Sequence, residues 1–116
     1  MLPTYAVVST STDIAVLTPG TNSYVASPLT VTGQARGSWF SEAVFPVYLT
    51  DSKGRIIAQA QARAKSDWMT AGLVPFSATI TFPRQPSGST GFLILKKDNP
   101  SGLSKNAGAV EEKVNF

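Results

Sequence analysis

The sequence contains no cysteine and no histidine among its 116 residues. The absence of cysteine excludes a disulfide framework and any thiolate chemistry. The absence of histidine excludes Ser-His-Asp and Cys-His catalytic machinery, His-ligated zinc, and the most common general base near neutral pH. These absences favour a non-catalytic protein that uses no cofactor.

Acidic residues are also few, and their seven positions are dispersed along the chain. A glycosidase-like pair needs two carboxylates close together, and nothing in their spacing predicts such a pair. The glycines do not form a nucleotide-binding loop either, because the required spacing and the following helix are missing. We therefore expect that the protein is not an enzyme.

Positive charge is present but not concentrated, although the formal net charge is +3. The adjacent pair Lys96 and Lys97 points to opposite faces of a predicted strand. Nucleic-acid-binding proteins usually cluster such charge, so we expect no nucleic-acid partner. No apolar run approaches the roughly 20 residues of a membrane-spanning helix. Residues 1–12 are interpreted as a polar tether, not a signal peptide.

Alternation of apolar and polar residues is the dominant pattern. In residues 76–82 the two phenylalanines, the alanine and the isoleucine share one face, and three hydroxyl-bearing residues share the other. About seven such strands separated by turns predict one domain over residues 13–116, an all-β, immunoglobulin-like antiparallel β-sandwich. The predicted strands are 13–17, 29–36, 43–50, 55–62, 76–82, 91–97 and 110–116.

Sheet edges matter in this prediction, because an unpaired edge strand can pair with another chain. The first strand is one candidate edge. Pro46 makes the third strand the other candidate or the site of a bulge, since proline cannot donate a hydrogen bond within a sheet.

Binding residues are expected in loops, where a sandwich usually carries its function. Two connections are longer than a hairpin requires, residues 65–72 and 98–108. Loop aromatics can stack on sugars or anchor a protein partner, although Trp39 is favoured as a core residue that closes the sandwich. The candidate ligand-binding residues are Tyr24, Trp39, Asp67, Trp68, Met69, Asp98 and Asn99.

The loop acids Asp51, Asp67 and Asp98 raise the alternative of a calcium site, since calcium prefers several oxygen ligands. The sequence lacks a consecutive ligand string of the D-x-D type. We favour the interpretation that Asp51 and Asp98 cap turns and expect no metal site.

Several motifs occur in the order of a known family. Residues 27–36 (SPLTVTGQAR) and 39–47 (WFSEAVFPV) are similar to its opening strand and its aromatic-glutamate strand. The D-x-x-G hairpin at 51–54 and the strand VPFSATITF at 74–82 match as well. Together they resemble the immunoglobulin-like domain of bacterial spore germination, the Gmad2 family. The resemblance implies an exported, surface-associated bacterial module without catalytic activity.

Three functions stay open at this level. The leading hypothesis is an extracellular or cell-surface module, anchored by a segment outside this chain, that contacts a protein or another cell-envelope component. The second is a carbohydrate-binding sandwich that stacks sugars on Trp68, Tyr24 and Trp39. The third is a structural subunit that self-associates through an edge strand.

Overall fold

A computed structural model describes residues 13–97 and 108–116, so the predicted tether at 1–12 lies outside the described residues. The described residues form seven β-strands and one short 3-10 helix, Gly37–Trp39, which confirms the all-β prediction. The strands are β1 (Ile14–Thr18), β2 (Leu29–Arg36), β3 (Val44–Asp51), β4 (Ile56–Ala64), β5 (Leu73–Ile80), β6 (Thr90–Lys96) and β7 (Ala109–Asn115).

The strands follow the order β1-β2-β5-β4-β3-β6-β7, and every neighbouring pair is antiparallel. The pairing is weakest between β4 and β5, where only Arg63 with Ser77 and Ala64 with Phe76 are in register. Because β2 and β5 pair over their full length, the sheet curls at the β4–β5 junction. Its two halves then face each other as the layers of an immunoglobulin-like sandwich.

The core between the layers is built around Phe45, which is fully buried on β3. Its ring centroid lies 5.0 Å from that of Phe76 on β5, so the contact joins the two layers. Trp39 and Phe40 complete an edge-to-face cluster, at 5.7 and 5.2 Å from Phe45. Such pairs each contribute about 0.5–1.5 kcal/mol beyond their burial.

The strand that contains Pro46 is not an edge, so that part of the edge prediction is wrong. β3 lies between β4 and β6. Its ladder with β6 begins at Val47, so Pro46 lies just before that ladder and residues 47–50 pair on both sides. The edges are β1, as predicted, and β7.

The fifth strand begins earlier than predicted and ends sooner. Val74 is buried together with Phe76, Ala78 and Ile80, so the alternation starts before Pro75. Phe82 lies beyond the strand, where its ring centroid is 5.8 Å from that of Phe116.

Candidate functional site

One end of the sandwich, here called the loop end, contains the connection between β2 and β3 and the connection between β4 and β5. Lys97 and Gly108, which follow β6 and precede β7, lie at the same end because the strands are antiparallel. Gly37, in the first of these connections, donates its N–H to the carbonyl of Gly72 at 3.2 Å. Gly108 lies close to Trp39, since a Cβ on Gly108 would be 3.6 Å from the indole ring. Trp39 is therefore buried beneath the residues of the loop end.

The connection at residues 65–72 is held by close backbone packing. A Cβ on Gly37 would lie 2.2 Å from the carbonyl oxygen of Trp68 and 2.1 Å from that of Thr70. Arg36 also donates from Nη1 to the carbonyl of Ala71 at 2.9 Å. Only a residue without a side chain allows this approach, so the loop is fixed against the start of the 3-10 helix.

The predicted site residues of the loop end have unequal access to solvent. Trp39 is only 4% exposed, so it is a core residue and its ring is not available to stack on a ligand. Trp68 is partly buried against the core, whereas Met69 is 74% exposed. Asp67 accepts a hydrogen bond through Oδ1 from the Met69 N–H at 3.0 Å, which makes it a turn residue.

Two further candidates, Asp98 and Asn99, lie outside the described residues.

Tyr24 is the most exposed of the candidate aromatics, at 81%, but it lies at the opposite end of the sandwich. It follows β1 and forms a parallel bridge with Asn115, the last residue of β7. Tyr24 and Trp68 therefore do not converge on one surface. A sugar-stacking platform that combines the three predicted aromatics is not formed.

The loop end also contains a strained turn that the sequence does not reveal. Ser41 and Val44 exchange backbone hydrogen bonds at 2.9 and 3.0 Å. The two residues between them, Glu42 and Ala43, have φ values of 53° and 67°. This left-handed conformation usually selects glycine or asparagine, so the turn is maintained by its surroundings, including a bond from the Ala64 N–H to the Ala43 carbonyl.

The acids of the described loops serve as structural groups. Asp51 accepts hydrogen bonds from the Lys53 and Arg55 N–H groups through Oδ1 and pairs with Arg55 Nε at 2.8 Å. The bond from the Arg55 backbone is the main cause that lowers the pKa of Asp51, and the Arg55 side chain and the Lys53 backbone add to it. This confirms the turn-capping interpretation for Asp51. Within residues 13–97 and 108–116, no cluster of three or more acidic side chains could hold a metal ion.

A concave surface that sequence reasoning missed lies on the outer face of the layer formed by β3, β6 and β7. We call it the outer groove; its volume is about 640 Å3. Tyr48 and Ile94 are partners in the β3–β6 ladder and lie on this face. Ile56, at the start of β4, is 59% exposed. The lining residues are Tyr48, Thr50, Gly54, Ile56, Ile94, Lys96, Gly108 and Ala109.

The signal for the outer groove was present in the alternation. The solvent-facing positions of β3 and β6 carry Tyr48 and Ile94, where an ordinary exposed face has polar residues. This pattern is weak in the sequence, because a single isoleucine or tyrosine on an outer face is not unusual. The strand pairing is what brings these residues side by side.

The fold defines the class: a seven-stranded immunoglobulin-like sandwich. In the described part of the chain, no helix has the length and apolar character needed to cross a membrane. The family model for the immunoglobulin-like domain of bacterial spore germination, Gmad2, matches residues 13–104. This chain belongs to the Gmad2 family, whose fold is that of a generally non-catalytic module. Comparison with curated proteins and comparison with solved structures gave no match.

Proposed function

We propose that this domain is a non-catalytic binding module that holds an extended protein segment in the outer groove. The observation that supports this is the concave apolar lining formed by Tyr48, Ile56 and Ile94. Full burial of an aliphatic side chain of this size contributes about 1.5–3 kcal/mol relative to exposure. Contiguous exposed apolar surface on a globular domain commonly marks a contact surface.

The charge beside the outer groove favours a partner that combines apolar and acidic side chains. Lys96 lines the end of the groove near Gly108 and Ala109. Its ammonium group forms no ion pair with the described residues. An acidic group on the partner is placed to meet this charge, and the apolar side chains of the partner then cover Ile56 and Tyr48.

The experiment is a selection from a phage-displayed library of random peptides on the intact domain, followed by affinity measurement on variants. Ile56→Ser removes apolar surface from the groove. Leu73→Ser is the matched control, since Leu73 is 49% exposed and also opens a strand, but at the loop end. We expect Ile56→Ser to weaken the selected peptides about ten- to a hundredfold, with Leu73→Ser unchanged.

Other results reject this assignment. If the peptides lose affinity in Leu73→Ser and not in Ile56→Ser, the contact surface is the loop end. If no peptide is selected and the domain is instead retained by isolated peptidoglycan, the partner is a cell-envelope glycan. In that case Tyr48, the aromatic ring of the groove, replaces Trp39 as the candidate stacking residue, and Tyr48→Ser should abolish retention.

We also propose that the module acts at a bacterial surface, which is supported by the family to which the chain belongs. The test is protease treatment of intact and lysed cells of the native host, with a cytoplasmic protein as control. Surface exposure predicts that the domain is degraded in intact cells while the control survives. Protection in intact cells places the domain inside the cell.

Self-association through β1 is a second candidate because this strand lies at the sheet edge. Leu17 on this strand is 65% exposed, and an edge strand with an exposed apolar residue can pair with a second copy. Light scattering over a range of concentrations tests this. A mass that rises with concentration in the wild type, and not in Leu17→Lys, supports pairing through β1; a constant monomer mass refutes it.

A further inference from the structure

Glu112 is a buried carboxyl group that the proposed binding function does not use. It is fully buried on β7, where it shares the inward face with Val110 and Val114. Its Oε1 accepts a hydrogen bond from the Thr21 hydroxyl at 3.0 Å. Among the described residues, no donor reaches its Oε2.

No cation of the described residues forms an ion pair with this carboxyl group. Its partner on β6 is Leu93, and Lys96, the cation of that strand, lines the outer groove on the opposite face. On β7 itself, Glu111 and Lys113 alternate with Glu112 and lie on the opposite face of the strand, where Glu111 is buried and Lys113 is exposed. In the segment that supplies Thr21, the titratable group is Tyr24, which extends into solvent. Burial therefore raises the pKa of Glu112 above its ordinary value.

Thr21 belongs to a segment, residues 20–25, that covers the outer edge of β7. Asn22 donates its N–H to the Lys113 carbonyl at 2.7 Å, and Asn115 donates its N–H to the Ser23 carbonyl at 2.8 Å. Val25 donates its N–H to the Asn115 carbonyl at 2.9 Å. The segment thus continues the sheet beyond β7 and occupies its edge.

The cover buries little apolar surface of its own. Thr21 and Asn22 are exposed, as is Tyr24, and the apolar side chain that packs against the core is the partly buried Val25. A segment held by a few hydrogen bonds with little burial opens at a lower free energy than the core strands. Opening also admits water to Glu112, since the segment carries the Thr21 hydroxyl that bonds this carboxyl group.

We propose that residues 20–25 form an ionisation-controlled cover over the edge of β7, closed while Glu112 is protonated and released when Glu112 ionises. Glu112 binds its proton more tightly in the closed form than in the open form. The reason is that burial in the closed form disfavours the ionised carboxylate, and no cation of the described residues pairs with it. The ratio of open to closed molecules therefore rises about tenfold per pH unit between the ordinary pKa of 4.5 and the raised pKa of the closed form. Release uncovers the outward backbone groups of Lys113 and Asn115.

Amide hydrogen exchange followed by NMR tests the cover directly. The protected amides are those of Asn22, Val25 and Asn115, and each exchange rate is divided by the rate for an unstructured peptide at the same pH. We expect a progressive loss of protection at these amides as the pH rises from the ordinary pKa of Glu112 through its raised value. Glu112→Gln should abolish this pH dependence. Asp51→Asn, which changes an acid on β3 that is separated from β7 by β6, should leave it intact.

Two further variants keep the proposal falsifiable. Thr21→Val removes the hydroxyl donor and should lower protection of the same amides at low pH as well. If Glu112→Gln does not fold, Glu112→Leu is the non-titrating variant for the same exchange experiment, since leucine is apolar and suits a core position. Wild-type protection that does not change with pH, or the same change in Glu112→Gln, refutes the proposal.

Discussion

Gly37→Ala should strongly destabilise the domain, because Gly37 packs directly against the backbone of residues 65–72 at the loop end. The added Cβ would lie 2.2 Å from the Trp68 carbonyl oxygen and 2.1 Å from the Thr70 carbonyl oxygen, where ordinary contact begins at 3.4 Å. Both atoms belong to the backbone, so no side-chain rotation can relieve the overlap. Residues 65–72 must move by about an ångström or more.

That movement weakens two hydrogen bonds, from the Gly37 N–H to Gly72 and from Arg36 to Ala71. Overpacking costs about 1–3 kcal/mol, and each lost hydrogen bond adds about 0.5–1.5 kcal/mol. We therefore expect Gly37→Ala to lower the free energy of unfolding by about 2–6 kcal/mol.

Urea denaturation followed by tryptophan fluorescence measures this loss, because Trp39 and Trp68 both lie beside the altered contact. Gly72→Ala is the matched control in the same loop: the nearest atom to its Cβ is Thr70 Oγ1, at 3.6 Å. The control should change stability by no more than about 0.5 kcal/mol. Equal stability of the two variants refutes the packing argument.

Four other predictions concern the core, the strained turn and the two acids with shifted pKa values. Phe45→Ala should cost about 3–5 kcal/mol of unfolding free energy by denaturation, and a loss below about 1 kcal/mol contradicts its central place. Ala43→Gly should stabilise the protein by about 0.5–1 kcal/mol, because glycine adopts the left-handed conformation of this residue without strain. Ala60→Gly, within β4, is the control and should destabilise the protein. If both variants change the free energy of unfolding in the same direction, the strain argument is wrong. For Asp51, whose pKa is lowered, wild-type stability should fall as the pH drops below the ordinary value of 3.8, and Asp51→Asn should show a smaller fall in an acid titration. For Glu112, whose pKa is raised, the contribution of this group to stability should be greatest below the ordinary value of 4.5 and should be lost as the pH rises through the raised pKa. Glu112→Gln should flatten this part of the dependence of stability on pH. An unchanged dependence in that variant shows that another group causes it.

Much of the fold could be predicted because the alternation of apolar residues is read directly from the chain. Six of the predicted strands lie within two residues of the observed bounds at each end. The fifth was displaced because Pro75 interrupts the apparent pattern, although β2 pairs with it through Gln34. The prediction that β3 is an edge strand was wrong because it rested on Pro46 alone. A proline excludes a ladder hydrogen bond at one residue, but the residues after it can still pair on both sides.

The candidate site was harder to predict because it depends on which strands become neighbours. Tyr48 and Ile56 belong to one hairpin, but Ile94 is far from them in sequence, and the pairing of β3 with β6 brings it to the same face. The loop aromatics were conspicuous in the sequence, but only three-dimensional packing distinguishes the buried Trp39 from the exposed Tyr24. The loop prediction for Trp68 and Met69 stays a prediction.

The acids whose contacts are described lie outside the lining of the outer groove. Asp51 is engaged by its own hairpin, Glu112 lies in the core, and Asp13 pairs with Arg36 at 3.3 Å. The described residues that line the groove include no carboxylate, and Glu111, the β7 partner of Ile94, is buried next to them. What the groove offers a partner is apolar surface and the charge of Lys96. Because the apolar term dominates, affinity should depend strongly on Ile56 and only weakly on ionic strength, which screens the single exposed charge.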